Sequence, residues 1–368
     1  MAGFPFMRQA EAFRSSLPFI LLLAVFILPC PMSAAAKPRP AIAFVHLLLP
    51  PGGEPHASPA GWIGSLDRAR DTLESLRIPT IVSSASPGNA EDLNELSEMD
   101  PEVLITTSPL LYAAACDVAK RSPNTVFFAC TDETVHDNMS GFQARTYEAH
   151  YLAGLIAGAL SEDGVIGYLA NDPYQSKASR LRNANAFTLG AQKSKAAIRV
   201  LYAPGNDPDE ELKTLIAAGA DIVDLERALP SLVERLREHS VRYVGTAGRT
   251  VDPLCLAAPE WEWSNAFGDL LTQVRFGIWR PRNVSYGIKE GVVGLSPFGP
   301  AVPETVRVRV REAKEAIRNG ASPFEGPVRD VSGSLRISEG SVPDDATLRG
   351  MDWRVQGLEP LPLTPDGL

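Results

Sequence analysis

Short continuous apolar runs alternate along this chain with longer segments whose apolar positions recur at helical spacing. Behind the Pro-rich lead-in Lys37-Pro38-Arg39-Pro40, residues 41–46 predict a buried strand, and the spacing over 66–76 predicts a helix that Ser65 can cap. The pattern then repeats, with strands predicted at 80–82, 103–105 and 126–129 and helices at 90–99 and 110–120. A longer helix is predicted over 147–160, with Tyr151, Leu152, Leu155, Ile156 and Ala159 on one stripe and Gly164 close behind its end. Beyond it the alternation restarts, with strands at 165–169, 198–201, 222–223 and 243–244 and helices at 184–193, 210–218 and 229–239. Such alternation makes a parallel sheet with helices on both faces, and its restart predicts an α/β protein of two doubly wound parallel-sheet lobes. From Glu262 onward the pattern gives helices at 263–276 and 304–319 and a hairpin-like stretch at 331–337. Pro360, Pro362 and Pro365 then argue against a packed element at the end.

Length supports the two-lobe reading, since 368 residues exceed the usual single domain of roughly 100–200. Hydrophobic residues at 45% and charged residues at 21% place the chain among globular proteins and away from disorder. The formal charge of −9 repels phosphate backbones, which removes nucleic acid as a partner.

One apolar run stands apart. Residues 17–28 follow Arg8 and Arg14 and precede Ser33-Ala34-Ala35-Ala36, the layout of a signal peptide, and the run is shorter than the roughly 20 residues a spanning helix needs. Cleavage near Ala36 is one route; lipidation at Cys30, which follows Ile27-Leu28-Pro29, is the other, with Pro29 standing where a small residue is wanted. The expected organisation is a signal peptide at 1–36, an N-terminal lobe at 41–146, a second lobe at 147–245, segments completing both lobes at 246–357, and a tail at 358–368. With Cys30 gone, Cys116, Cys130 and Cys255 have no close spacing, which fits buried thiols, or one bridge and a spare, better than a disulfide framework or zinc site.

The motifs of phosphate-loop nucleotidases, dinucleotide oxidoreductases, zinc proteases and serine hydrolases are all missing. His46, His56, His136, His150 and His239 are scattered singly, as surface or hydrogen-bonded residues would be. The Gly154-Leu155-Ile156-Ala157-Gly158 stretch predicts close helix packing. No enzyme activity, cofactor or metal is expected. Two open α/β lobes place loops at the carboxyl ends of their strands, where such sheets bind ligands, so a cleft between lobes is the predicted site.

Several ordered blocks resemble the BMP (basic membrane protein) family of ABC-transporter substrate-binding lipoproteins and periplasmic proteins. They are Phe142 through Gly154, Asn185-Ala186-Phe187-Thr188-Leu189-Gly190-Ala191, Gly287-Ile288-Lys289-Glu290-Gly291, Leu295-Ser296-Pro297-Phe298, Pro323-Phe324-Glu325-Gly326-Pro327 and Met351 through Gly357. The resemblance implies a type I periplasmic-binding-protein fold whose hinged lobes close on a purine nucleoside or base and deliver it to ABC permease subunits. It implies contact with the membrane only through the permease or a lipid anchor at Cys30. A ligand-sensing module signalling to a membrane receptor is the alternative on the same scaffold.

A purine is a flat π-system with a polar edge, so it calls for an aromatic platform and a few polar groups. The resemblance places Trp62 as the stacking aromatic, Asp132 and Asn171 as polar contacts at strand ends, and Lys289 as a donor to ribose or base. Phe187 is a second aromatic candidate at the cleft, with core packing as its other reading. Two departures bear on the ligand. Gly205, followed by Asn206, holds a place where many relatives carry an aromatic, and the stretch around Ala247, Thr246-Ala247-Gly248-Arg249, lacks the acidic residue relatives carry there. A cleft-facing Arg249 would favour an acidic or phosphate-bearing group. Trp279 and Trp353 are expected to pack the C-terminal segment.

Overall fold

The structure, a computed structural model, describes residues 39–48, 61–131, 133, 136–172, 175–245 and 252–362. The expected signal segment, Cys30, Asp132, Ala247 and Arg249 lie outside the described residues.

The first lobe runs β1 (Ile42–Leu47), α1 (Trp62–Ser75), β2 (Thr80–Ala85), α2 (Glu91–Ser97), β3 (Val103–Thr106), α3 (Tyr112–Ala119), β4 (Val126–Cys130) and β5 (Met139–Ala144). Every residue of β1 is buried, as a parallel strand covered on both faces requires. The chain continues through α4 (Thr146–Leu160), β6 (Val165–Leu169), α5 (Lys177–Ser194), β7 (Arg199–Ala203), α6 (Pro208–Ala217), β8 (Ile222–Leu225), α7 (Pro230–Glu238), β9 (Arg242–Gly245) and β10 (Cys255–Ala257). The C-terminal part supplies β11 (Pro259–Trp261), α8 (Ser264–Arg275), β12 (Val284–Tyr286), β13 (Val293–Leu295), α9 (Glu304–Arg318), β14 (Val328–Arg329), β15 (Leu335–Ile337), α10 (Asp345–Arg349) and β16 (Leu358–Pro360).

Two six-stranded sheets result, ordered β12-β5-β4-β3-β1-β2 and β10-β9-β8-β6-β7-β16, with every strand pair in both parallel. Sheet membership shows the chain crossing between lobes after β5, again after β10 and again after β12. In each sheet the winding reverses about its first strand, between β1 and β3 in one lobe and between β6 and β8 in the other. Those reversals are the topological switch points of the two lobes.

The expected single stripe on α4 is corrected by the structure. Thr146 through Gly158 are buried except Tyr151, because α5, α9, β11 and β13 all pack around the helix. Close approach to α5 depends on glycine. A Cβ at Gly154 would stand 2.1 Å from the Phe187 carbonyl oxygen, and one at Gly158 would stand 2.2 Å from that of Ala191. From the other side, Gly190 meets the Tyr151 carbonyl at the same close range.

The C-terminal tail is corrected as well. Leu358–Pro360 pairs in parallel with β7, and Leu361 N–H donates to the Tyr202 carbonyl at 3.0 Å. Prolines are tolerated because β16 is an edge strand, whose outward side has no ladder to complete. Cys116 and Cys130 are buried and Cys255 is partly buried.

Candidate functional site

At the first lobe's switch point, Trp62 opens α1 and reaches the carboxyl end of β3, where its indole N–H donates to the Thr107 carbonyl at 2.8 Å. The Thr107 hydroxyl donates back to the Val45 carbonyl at 3.1 Å and lies 3.1 Å from His46 Nδ1. His46 Nε2 in turn stands 3.2 Å from Asp67 on α1. With its one polar atom engaged, the half-buried indole offers a ligand only π surface and dispersion.

Three aromatics hold that indole. Trp261 and Trp263 meet it edge-on, with centroids at 5.8 and 5.2 Å and interplanar angles of 84° and 83°. Phe142 lies nearly parallel to it, at 14° and 6.4 Å. Trp263 is fully buried and stacks on Phe267 at 5.5 Å. Edge-to-face pairs of this kind contribute about 0.5–1.5 kcal/mol each beyond the area they bury. Trp261 belongs to a crossing segment, and its own indole N–H reaches Thr146 Oγ1 at 3.2 Å, so the candidate platform is in contact with the hinge. Sequence reasoning missed both partners; the alternation Trp261-Glu262-Trp263 was the available signal, since it puts two indoles on the same side of an extended segment.

At the second lobe's switch point the chemistry is polar. Asn171 follows β6 and is buried, with its amide donating to the Arg227 carbonyl and accepting from the Arg227 N–H, both at 2.8 Å. That clamp ties the loops after β6 and β8. Arg180 of α5 adds a second tie, donating to the Ala170 and Pro204 carbonyls at 2.9 and 3.0 Å. Gly205 has φ +78°, and a Cβ there would stand 2.2 Å from the Ala170 oxygen, so no aromatic fits without displacing the loop. Its N–H and that of exposed Asn206 donate to the Glu211 carboxylate at 2.6 and 3.1 Å.

Beneath these loops lies a charged cluster that the sequence did not announce. His150 Nδ1 is 3.0 Å from Asp224 Oδ2, with both residues buried. Glu226, one step beyond β8, accepts from the Tyr168 hydroxyl at 2.9 Å. Asn183 bonds Gln175 at 2.9 Å and reaches Glu226 at 3.5 Å, which joins the cluster to the loop after β6. Burial pushes the Glu226 carboxyl up to about 7. Burial works against a charged His150, but the Asp224 carboxylate and its hydrogen bond outweigh it and raise the imidazole above its ordinary value. His150 and Asp224 are 74 residues apart, a pairing invisible to local pattern.

Phe187 is the clear correction. It is fully buried, with its ring 5.5 Å from that of Tyr168, because its face of α5 points at the sheet and α4 rather than at the cleft. Neighbouring Asn185 donates to the Trp353 carbonyl and accepts from Val355 N–H, stitching the C-terminal segment to α5. Lys289 is exposed in the turn after β12. Trp279 and Trp353 pack partly buried against the core, as expected.

The three crossings converge near Arg145. Its N–H donates to the Tyr286 carbonyl at 2.7 Å, and Glu148, one turn into α4, accepts from Ile288 N–H at 2.7 Å. Burial pushes Glu148 up to about 7 against the opposing pull of that N–H and of Arg145. A recess of about 380 Å³ lies against β11 and β13, lined by Arg68, Glu260, Glu262, Lys314 and Arg318 among others. Its lining includes none of Trp62, Asn171, Gly205, Asn206 or Lys289, so it is distinct from the switch-point loops.

Two parallel-sheet lobes, each with its own switch point, joined by three crossings define a type I periplasmic-binding-protein fold. An ABC transporter solute-binding protein from Conexibacter woesei shares it with a TM-score of 0.60 at 17% identity, over 76% of this chain and 97% of that one. Residues 66–217 match the Bmp family model, described as ABC transporter substrate-binding protein PnrA-like. A purine-binding protein of Brucella abortus is 28% identical over 344 residues, covering 89% of this chain and 95% of its own. A Haloferax volcanii protein provisionally named as an ABC transporter glucose-binding protein is 28% identical over 307 residues, covering 77% and 78%.

Proposed function

We propose that this protein is the extracytoplasmic substrate-binding component of an ABC importer and holds a flat purine-like base or nucleoside between its lobes. The observation that carries this is Trp62. It is an indole fixed at the first lobe's switch point by Thr107 and two tryptophans, with only its π surface left to offer. A planar heterocycle matches that surface, and the polar switch-point loops of the second lobe supply partners for its edge. The similarity to a purine-binding relative over nearly the whole chain supports the ligand class. Lobe closure on the ligand, followed by docking on permease subunits, is differential affinity for two arrangements and needs no cofactor or catalytic group. Export rests on the N-terminal sequence layout; among the described residues no helix is long and apolar enough to cross a membrane.

The test is a thermal-shift panel of adenine, hypoxanthine, guanine, their ribonucleosides and glucose. A purine at about 100 times its dissociation constant adds roughly 2.7 kcal/mol of stability, a readable rise in melting temperature. A shift with glucose and none with any purine would transfer the assignment to sugars.

A further inference from the structure

We infer that the Arg145–Asp345 ion pair is an interlobe tie, which holds the cleft edges of the two lobes together and so helps determine ligand affinity without touching the ligand. The inference rests on the lobe closure proposed above, and it concerns residues outside both switch points.

Arg145 belongs to the first lobe's cleft edge. It directly follows β5, and its N–H is bonded to Tyr286 at the end of β12, so its backbone is fixed to two strand ends of that sheet. Asp345 belongs to the other lobe. It opens α10, which docks on α5 where Arg182 donates to the Leu348 carbonyl at 3.1 Å, and the chain then enters the second sheet as β16.

The side chains meet as a two-pronged fork. Arg145 Nε donates to Asp345 Oδ1 at 3.0 Å and Nη2 to Oδ2 at 2.8 Å. Ser285 of β12 also donates to the Asp345 carboxylate, so a carboxylate mounted on the second lobe takes hydrogen bonds from a strand of the first and from the residue just after another. The third arm of the guanidinium, Nη1, reaches Glu290 Oε2 at 3.3 Å, and the same oxygen accepts the Gly287 N–H at 2.7 Å. One cation thus spans the first crossing, the third crossing and α10.

Exposure separates this pair from an ordinary surface bridge. The Arg145 side chain is 25% exposed and that of Asp345 is 32%, so water competes only partly for the fork. A second fork provides the comparison. Arg199 and Glu359 make three hydrogen bonds at 2.7–3.2 Å, but both lie on adjacent strands of the second sheet, β7 and β16, and cannot report on lobe geometry.

The experiment is small-angle X-ray scattering of the ligand-free full chain, comparing wild type with Asp345→Asn, Glu359→Gln and the reversed pair Arg145→Glu/Asp345→Arg. Asp345→Asn is expected to raise the radius of gyration and broaden the distance distribution, the reversed pair to restore both in part, and Glu359→Gln to match wild type. For whichever purine of the panel binds, the dissociation constant of Asp345→Asn is expected to rise about three- to tenfold, the range a partly buried charge-assisted fork supports. A folded Asp345→Asn whose scattering superposes on wild type, or a shift equalled by Glu359→Gln, would overturn the tie. Because scattering is read without ligand, failure of every purine to bind would remove the ligand assignment and leave this result decisive on its own.

Discussion

The two cleft edges are built from opposite materials. In the first lobe the switch point presents an indole flanked by Trp261 and Trp263, with its polar atoms tied into a short chain through Thr107 and His46. In the second lobe the matching loops are polar and backbone-clamped, Gly205 stands too close to Ala170 for any side chain, and charge is stored beneath them in His150, Asp224 and Glu226. One edge can contribute dispersion and shape, which depend little on pH. The other contributes oriented dipoles and ionisable groups, which do depend on it. A ligand gripped between them needs a flat apolar face and a polar rim.

Three perturbations probe that contrast, beginning with the largest effect. Phe187→Ala removes a fully buried ring from the second lobe's interior and is expected to lower unfolding free energy by about 3–5 kcal/mol in urea titration. A loss below about 1 kcal/mol would mean that the ring is not part of the core after all. Trp62→Ala is expected to weaken purine binding by about 1–3 kcal/mol in calorimetry while Trp62→Phe retains part of it; unchanged affinity in the alanine variant would end the platform role.

The third concerns pH. Glu226 and Glu148 are both held near 7 in the folded protein against an ordinary 4.5, so the folded state binds more protons than the unfolded one between those values. Their stabilising share is therefore complete below the lower value and is lost as pH rises through the upper one. His150 acts in the same direction, since its folded value lies above the ordinary 6.5 and its share is lost as pH rises beyond 6.5. Melting temperature should fall as pH climbs from 4.5 to about 7, and Glu226→Gln should reduce the stability lost across that window by an amount on the order of 1–3 kcal/mol. Equal slopes in wild type and variant would place the pH dependence elsewhere.

Much of the architecture was legible because its elements are long and periodic. The helix predicted over 304–319 spans Glu304–Arg318, and the strand predicted at 165–169 is Val165–Leu169. What escaped was short or non-local. β10 through β13 and β16 have three residues each, too few for a period, and their strand state comes from neighbours far away in sequence. β5 was hidden by its composition, with Gly141 and polar Ser140 and Gln143 diluting the apolar signal. In the candidate site, Trp62 was legible through the family resemblance, which puts a stacking aromatic shortly after the first strand, and its place among loop residues favoured that reading. Arg145 and Asp345, 200 residues apart, share no local pattern, and neither do His150 and Asp224. Phe187 was misplaced because a helical period shows that a residue faces something but not what it faces.

The glycine-lined seam between α4 and α5 has a mechanical consequence. With main chain pressed on main chain at Gly154, Gly158 and Gly190, no intervening side chain can change rotamer to let the helices slide. The pair is therefore one stiff unit, with Arg145 standing just before its first helix. In the proposed closure, bending falls at the three crossings rather than within the helix pair, so those few residues would carry the movement.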